Sequence, residues 1–236
     1  MIKQSTRVSV ILPTFNERDN ILEILAILRT LSLRNKLSIE CVVVDDNSTD
    51  GTSDQIKKLR SKEINLIVRK KERGLASAIL HGIKKSSGTI VVVMDTDLNH
   101  DPRLIPVLVK NLKKSSMVIG SRFVKNGGMD NYLRYVASKI YNKYFLSLIL
   151  GSGVSDNLSG YFVMYKDDLV PFLNKKIFFG YGDYFIRLIY SLKKSSFSFI
   201  EVPCYYKNRT YGESKSKFIN MLFSYTIEAI TYVHKK

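Results

Sequence analysis

The chain has 236 residues, 45% hydrophobic and 25% charged, which excludes a disordered chain or a membrane bundle and supplies apolar mass for one large core. Lysine and arginine number 37 against 21 acids, a formal charge of +16, so a polyanionic partner is expected: anionic lipid, nucleic acid or a phosphorylated substrate. Cys41 and Cys204 lie far apart in apolar stretches, which excludes a disulfide framework and predicts reduced core residues in a cytosol-facing protein.

Residues 8–12 read as a short apolar strand followed by the loop Pro13-Thr-Phe-Asn-Glu17, with Asn16 positioned to cap a helix carrying Ile21, Leu22, Leu25 and Leu28 on one face. A second strand, 39–44, ends in Asp45-Asp-Asn-Ser-Thr-Asp-Gly-Thr52, a cluster of acids and turn residues that leads into a helix over 53–60. The third strand is 64–68, and a helix from Gly74 bears Leu75, Ala78, Ile79 and Ile83. Ile90-Val-Val-Val-Met-Asp-Thr-Asp-Leu-Asn99 is the fourth, an unbroken apolar run ending in two acids, as a central strand of a parallel sheet would.

Strands alternating with helices at this interval predict an α/β fold: a doubly wound, mostly parallel sheet with helices on both faces and ligands beyond the strands' carboxyl ends. Asp95 and Asp97 are two apart, so in an extended chain their carboxylates share a face and can share one hard divalent cation, with Asn99 adding a neutral oxygen. No G-x-G-x-x-G follows the first strand and there is no G-x-x-x-x-G-K-[ST], so a metal and basic side chains must handle any phosphate.

After Asp101-Pro102 a helix to about 114 leads to a fifth strand, 117–120, which delivers Ser121 and Arg122. The loop 125–129 contains Gly127-Gly128 and is expected to be mobile. A helix over 132–150 sets Arg134 and Ser138 on one face, by default a solvated one. A polar turn at 155–160, a strand at 162–165, a helix at 183–192 and a last strand at 198–202 precede the basic loop Arg209-Thr-Tyr-Gly-Glu-Ser-Lys215 and a terminal helix. The polar start, 1–7, predicts no secretory signal, and the apolar stretches 144–154 and 218–233 fall short of the roughly 20 residues of a membrane span. The expected plan is one domain over 1–215 and an amphipathic helix over 216–236 that packs on the sheet or lies in a lipid interface.

Seven motifs, Pro13-Thr-Phe-Asn-Glu17, Asp45-Asp-Asn-Ser-Thr-Asp-Gly-Thr52, Arg73-Gly-Leu-Ala-Ser-Ala78, Met94-Asp-Thr-Asp-Leu-Asn-His100, Gly120-Ser-Arg-Phe123, Asp156-Asn-Leu-Ser-Gly160 and Arg209-Thr-Tyr-Gly-Glu-Ser-Lys215, occur in this order at these strand ends. Together they resemble the family 2 glycosyltransferases with a GT-A fold, and within them the dolichol-phosphate mannosyltransferase-like, or polyprenyl-phosphate glycosyltransferase, branch. The resemblance implies a Rossmann-like GT-A sheet and an inverting enzyme using Mg²⁺ or Mn²⁺. Its donor would be a nucleotide sugar, first GDP-mannose, and its acceptor a membrane polyprenyl or dolichyl phosphate.

By the same resemblance, Pro13, Phe15, Glu17, Val44 and Asp46 line the nucleoside pocket, and Asp95, Thr96 and Asp97 its diphosphate end. Asp95 and Asp97 hold the metal, with Asn99 where the family usually has Gln. Arg122, Arg209 and Lys215 handle the donor phosphates and, with Asp97, carry the catalysis, while Arg122, Arg134 and Ser138 take the acceptor phosphate. Phe15 stands where Tyr is common, and Asn157 stands where Pro is usual, which predicts a less rigid turn. The implied location is peripheral, on the cytoplasmic side of a membrane, with or without a membrane-anchoring partner.

Other readings stay open. The donor could be a UDP-linked glucose or N-acetylhexosamine, or the acceptor a glycan or protein, although the Q-x-x-R-W motif of processive synthases is absent. A basic nucleic-acid- or lipid-binding protein would also suit the charge. Nucleic acid is not expected, because Phe178, Phe179 and Tyr181 lie outside the basic runs that would have to interleave with aromatics.

Overall fold

The computed structural model describes residues 7–35, 37–207 and 218–234, with side chains from 222 onward in the last segment. Arg209 and Lys215 lie outside the described residues. In chain order, β1 (Arg7–Thr14), α1 (Arg18–Asn35), β2 (Ser38–Asp45), α2 (Thr52–Lys58), β3 (Ile64–Val68), α3 (Leu75–Lys85) and β4 (Ile90–Val93) alternate as the periodicity predicts. They are followed by α4 (Ile105–Asn111), β5 (Ser116–Ser121), β6 (Gly128–Met129), α5 (Tyr132–Lys139), a π-helical stretch (Ile140–Leu146) and α6 (Ser147–Leu150). Next come β7 (Phe162–Tyr165), α7 (Lys166–Leu169), α8 (Asp183–Lys194), β8 (Ser198–Pro203), β9 (Tyr205–Tyr206) and α9 (Phe218–His234).

Seven strands form one sheet in the order β3-β2-β1-β4-β7-β5-β8, and only β7 runs against its neighbours. The chain winds outward from β1 to β3 and then returns to place β4 on the other flank of β1. That reversal opens a crevice beyond the carboxyl ends of β1 and β4, where ligands of such sheets bind.

Alternation along the strands divides the core. Val8, Val10 and Leu12 of β1 pack with Val43, Val92 and the α1 stripe Ile21, Ile24, Leu25 and Leu28. Ile11, Val42, Val44, Val91 and Val93 pack on the opposite face with Ile79 and Ile83 of α3 and Phe185, Leu188 and Ile189 of α8. Each such fully buried side chain contributes about 1.5–3 kcal/mol of hydrophobic stabilisation. Gly82 lets α3 approach the sheet, since a Cβ there would meet Ile11 Cγ2 at 2.6 Å.

Three expectations are corrected. The helix expected over 132–150 is interrupted by the π-helical stretch, which shifts the register of the side chains beyond Lys139. The Gly127-Gly128 loop, expected to be mobile, is partly a strand: Gly128 and Met129 pair with Tyr205 and Tyr206. The turn at Asn157 is fastened rather than loose, because the buried Asn157 amide donates to the Asn142 and Val154 carbonyls at 3.2 and 2.8 Å and accepts from Ser152 at 2.9 Å.

The last helix, α9, packs on α6 and α8 and buries Tyr225 and Ala229 against Leu146, Leu150 and Ile186. Arg187 of α8, wholly buried, is bonded to Asp183 at 2.7 Å and to Glu228 of α9 at 2.8 Å. It also donates to the carbonyls of Ile177 and Phe179, so one guanidinium ties α9 to the loop before α8. Among the described residues no helix is long and apolar enough to cross a membrane.

Candidate active site

The carboxyl ends of β1, β2 and β4 open onto a cavity of about 440 Å³ whose walls include Pro13, Phe15, Glu17, Asp46, Asp95, Thr96 and Asp97. Its rim is held by polar side chains. Asn16 takes a left-handed φ of 53° and exchanges hydrogen bonds with the next loop, donating its N–H to Ser48 Oγ at 2.8 Å and accepting from Thr49 N–H at 2.9 Å. Asn16 therefore does not cap α1 as its position in sequence suggested. Asp50 does so from across the cleft, accepting the Arg18 N–H at 3.1 Å, while Thr52 Oγ1 accepts the Glu17 N–H at 3.2 Å.

Asp46 is not a free acid at the cavity wall. Its Oδ1 accepts from Arg69 Nε at 2.6 Å, and its Oδ2 accepts the Gly74 N–H at 2.8 Å, so it anchors the loop entering α3. Gly74 has a φ of +140°, which a residue with a Cβ rarely adopts. In that loop the Arg73 guanidinium lies 4.9 Å from the centre of the Phe15 ring, a cation–π contact across the cavity. Val44 is not brought to the wall: it is fully buried under α3, because its side chain leaves β2 on the core face.

The acidic turn follows β4. Both Asp97 oxygens accept from Asn99, from its N–H at 3.2 Å and from its side-chain amide at 2.8 Å. Asn99 thus orients Asp97, and it is the amide nitrogen that faces the carboxylate. Thr96 Oγ1 donates to the Pro13 carbonyl at 3.1 Å, binding the turn to β1's loop. Asp95 remains half-exposed, and its carboxylate lies 3.9 Å from His100 Nε2. Among the described residues no three His, Cys, Asp or Glu side chains converge to cage a metal. Two carboxylates nevertheless suit Mg²⁺ or Mn²⁺, hard ions that take their remaining oxygens from substrate phosphates and water.

A second cavity, of about 390 Å³, opens on the other side of Asp95 and Asp97 and is lined by Asn99, Arg122, Arg134, Ser138, Tyr184 and Lys207 among others. Arg134, exposed, and Ser138, buried, thus both line a cavity, and Asp95, Asp97, Leu75 and Tyr181 belong to both cavities. Burial, aided by the Asp95 charge, pushes the Tyr184 hydroxyl well above the usual phenol range, so it stays protonated at neutral pH.

Arg122 is committed to Asp156. Its Nε and Nη2 donate to the two Asp156 oxygens at 2.8 and 2.6 Å, and its backbone N–H adds a third bond at 3.0 Å. Burial alone would lower its pKa, but the Asp156 carboxylate reverses this and raises it above the ordinary guanidinium value. The guanidinium also lies 4.9 and 4.7 Å from the Phe123 and Tyr206 ring centres.

The sequence reading missed Arg69, Arg73, Asp156, His100 and Tyr206 as site-forming residues. Arg73, His100 and Asp156 stand inside the motifs already noted, and that was the available signal. Arg69 and Tyr206 carry none, since each acts on a residue far from it in sequence.

Residues 9–173 match the model of Glycosyl transferase family 2. The chain is 37% identical over 216 residues to a dolichol-phosphate mannosyltransferase of Pyrococcus furiosus, covering 89% of this chain and 59% of that protein. It is 33% identical over 168 residues to the Saccharomyces cerevisiae protein of the same name, covering 69% of this chain and 62% of that one. The chain thus spans about three fifths of the length of these relatives. A solved structure of Mycobacterium tuberculosis glucosyl-3-phosphoglycerate synthase, in complex with Mn²⁺, UDP and phosphoglyceric acid, superposes with a TM-score of 0.70 at 18% identity, covering 98% of this chain and 80% of that one. The fold, the ordered motifs and the match over residues 9–173 together make this chain a member of glycosyl transferase family 2.

Proposed function

We propose that the protein transfers a hexose, mannose from GDP-mannose, to the phosphate of a membrane polyprenol or dolichol with inversion at the anomeric carbon. The observation that carries this reading is the meeting of two cavities at Asp95 and Asp97, the first suited to a nucleotide and the second carrying Arg122, Arg134 and Lys207. The names of the relatives support the donor sugar and the acceptor.

In this reading Phe15 and Arg73 hold the base, and Asp46, clamped by Arg69, fixes the loop beside it. Asp95 and Asp97 would hold Mg²⁺ or Mn²⁺, with Asn99 keeping Asp97 in orientation. When bound, the cation supplies positive charge to the departing diphosphate. The acceptor phosphate lies in the second cavity near Arg134 and Ser138, with Arg209 and Lys215 assigned to the donor phosphates by motif alone.

A phosphate oxygen is already anionic at pH 7, so it can attack the anomeric carbon without a base while the bond to the diphosphate breaks. The carboxylates of the second cavity suit that account. Asp95 and Asp97 serve the cation, and Asp130 accepts a hydrogen bond from Tyr205. Preorganised charge is then the main catalytic contribution.

Leu133, Tyr144 and Leu148, and Phe223 and Ile227 on α9, which packs on α6, are exposed apolar side chains, and Lys139 and Lys143 stand in the same helical run as the first three. An apolar face flanked by cations suits peripheral docking on an anionic membrane. The deciding experiment follows labelled mannose from GDP-mannose into an organic phase with polyprenyl phosphate or free polyprenol as acceptor. Transfer is expected with the phosphate only, and equal transfer to both would sink the mechanism. A thermal-shift panel of GDP- and UDP-sugars with and without Mn²⁺ reads the donor, since a ligand of the native state raises its stability.

A further inference from the structure

We propose that His100 and Tyr206 are positioning residues for the acidic pair, the imidazole fastening the Asp95 backbone and taking its own orientation from a tyrosine on another strand. This rests on the reading of Asp95 and Asp97 as cation ligands.

The turn after β4 needs such a fastening. Leu98, between Asp97 and Asn99, has a φ of 63°, a left-handed conformation that few residues other than glycine adopt. The Asp95 N–H donates to His100 Nδ1 at 2.8 Å, closing the turn on itself. Because Nδ1 accepts, the ring proton is on Nε2, which is 2.5 Å from the Tyr206 hydroxyl and donates to it. Tyr206 in turn donates its proton to the Ser159 carbonyl at 3.1 Å. The relay runs in one direction, from Asp95 to Ser159, and uses both imidazole nitrogens. His100 is therefore not available as a base, and its role is geometric.

Packing removes the remaining freedom. His100 is 1% exposed and stacks on Tyr161 with centroids 4.9 Å apart, and the Tyr161 hydroxyl donates to the Asp101 carbonyl at 2.9 Å. Tyr206 meets the imidazole edge-on at 5.1 Å, is held in β9 by pairing with Met129, and lies beneath the Arg122 guanidinium. Tyr206 of β9 and Arg122, both lining the second cavity, thus set the backbone from which Asp95 reaches its cation. Partners of this kind, one step removed from the metal, typically carry about 10–100-fold in metal affinity.

The test titrates Mn²⁺ into the full chain in the presence of GDP, and in parallel UDP, and reads free Mn²⁺ by electron paramagnetic resonance, with a thermal melt of every variant. D97N is the control for the cation reading and should abolish nucleotide-dependent Mn²⁺ binding. H100Q carries its amide near the Nε2 position and leaves the Asp95 N–H without an acceptor, so the Mn²⁺ dissociation constant should rise about tenfold. H100N puts an oxygen where Nδ1 stood but no longer reaches Tyr206, so it should weaken Mn²⁺ about three- to fivefold, as Y206F does, and less than H100Q. Y206F keeps the ring and the contact with Arg122 but removes the hydroxyl, so it guards against misfolding of the His100 variants and should weaken Mn²⁺ about three- to fivefold. Nucleotide binding without Mn²⁺ should not change in the His100 and Tyr206 variants.

Wild-type Mn²⁺ affinity in both H100Q and Y206F, or H100N as weak as H100Q, would overturn the positioning role while leaving the cation reading intact. Equal Mn²⁺ binding by D97N and wild type would remove the cation reading, and this inference with it.

Discussion

The first cavity is assembled from the loops after β1, β2 and β4, whereas the second draws on β5, α5, the π-helical stretch, β9 and α9. In the first, side chains cross between neighbouring strand ends, as Asn16 and Asp50 do, and the parallel sheet brings those ends together. In the second, the groups come from remote segments and depend on one buried ion pair, Arg122–Asp156, for their relative placement. Parallel winding therefore brings together most of the first cavity's wall, which the Arg69–Asp46 pair fastens, while the opposing cavity draws more on tertiary packing. Substitutions should separate the two.

The largest effect is expected at their junction. Asp97→Ala should remove turnover altogether, with a melting temperature close to wild type, because the residue stands at a strand end and not in the core. Activity in excess chelator, or full activity of the variant, would break the assignment.

Arg122→Ala and Arg69→Ala should then be compared by urea denaturation. Each leaves a buried carboxylate without its partner, Asp156 or Asp46, and each should cost about 3–5 kcal/mol of folding stability. The variants should diverge in binding: loss of Arg69 weakens the nucleotide, and loss of Arg122 weakens the acceptor. The same binding profile from both would show that the cavities are not independent. Arg134→Ala is milder, with the apparent KM for polyprenyl phosphate expected to rise about tenfold, or about 1.4 kcal/mol, at unchanged nucleotide affinity.

The smallest effect concerns pH on the nucleotide side. Burial alone would raise the Asp50 pKa, but bonds from Thr52 and the Arg18 N–H outweigh it and hold the carboxyl below its usual range. A carboxyl lowered by folding stabilises the protein above its unfolded value, near pH 3.9, and that contribution is lost as pH falls through the lowered folded value. Stability measured by melting should decline over that acidic window, and Asp50→Asn should flatten the decline.

The contrast also explains what could be read from the sequence. The apolar run 90–93 ending in Asp95 and Asp97, and the polar clusters at the other strand ends, are short-range signals, so the sheet and the polar loops at its carboxyl edge were legible. Val44, which the resemblance puts at the nucleoside pocket, has its side chain in the core, because adjacent strand residues point to opposite faces and the resemblance does not say which. Arg122 lines the second cavity, yet its partner Asp156 lies 34 residues away and no local pattern pairs them. The π-helical stretch was hidden because its residues still read as a continuous helical stripe.

Arg187 has a practical consequence. Its guanidinium balances Asp183 and Glu228 while holding the carbonyls of Ile177 and Phe179, four and two residues from Tyr181 at the mouth of both cavities. Deleting the chain from residue 216 would strip away half of that counter-charge and also disturb the loop, so a truncated protein that lost activity could not be read as one that had merely lost its hold on lipid. Phe223→Ser and Ile227→Ser, on the exposed side of α9, change what faces outward and leave Glu228 in place. They are the substitutions with which vesicle binding can be scored separately from turnover.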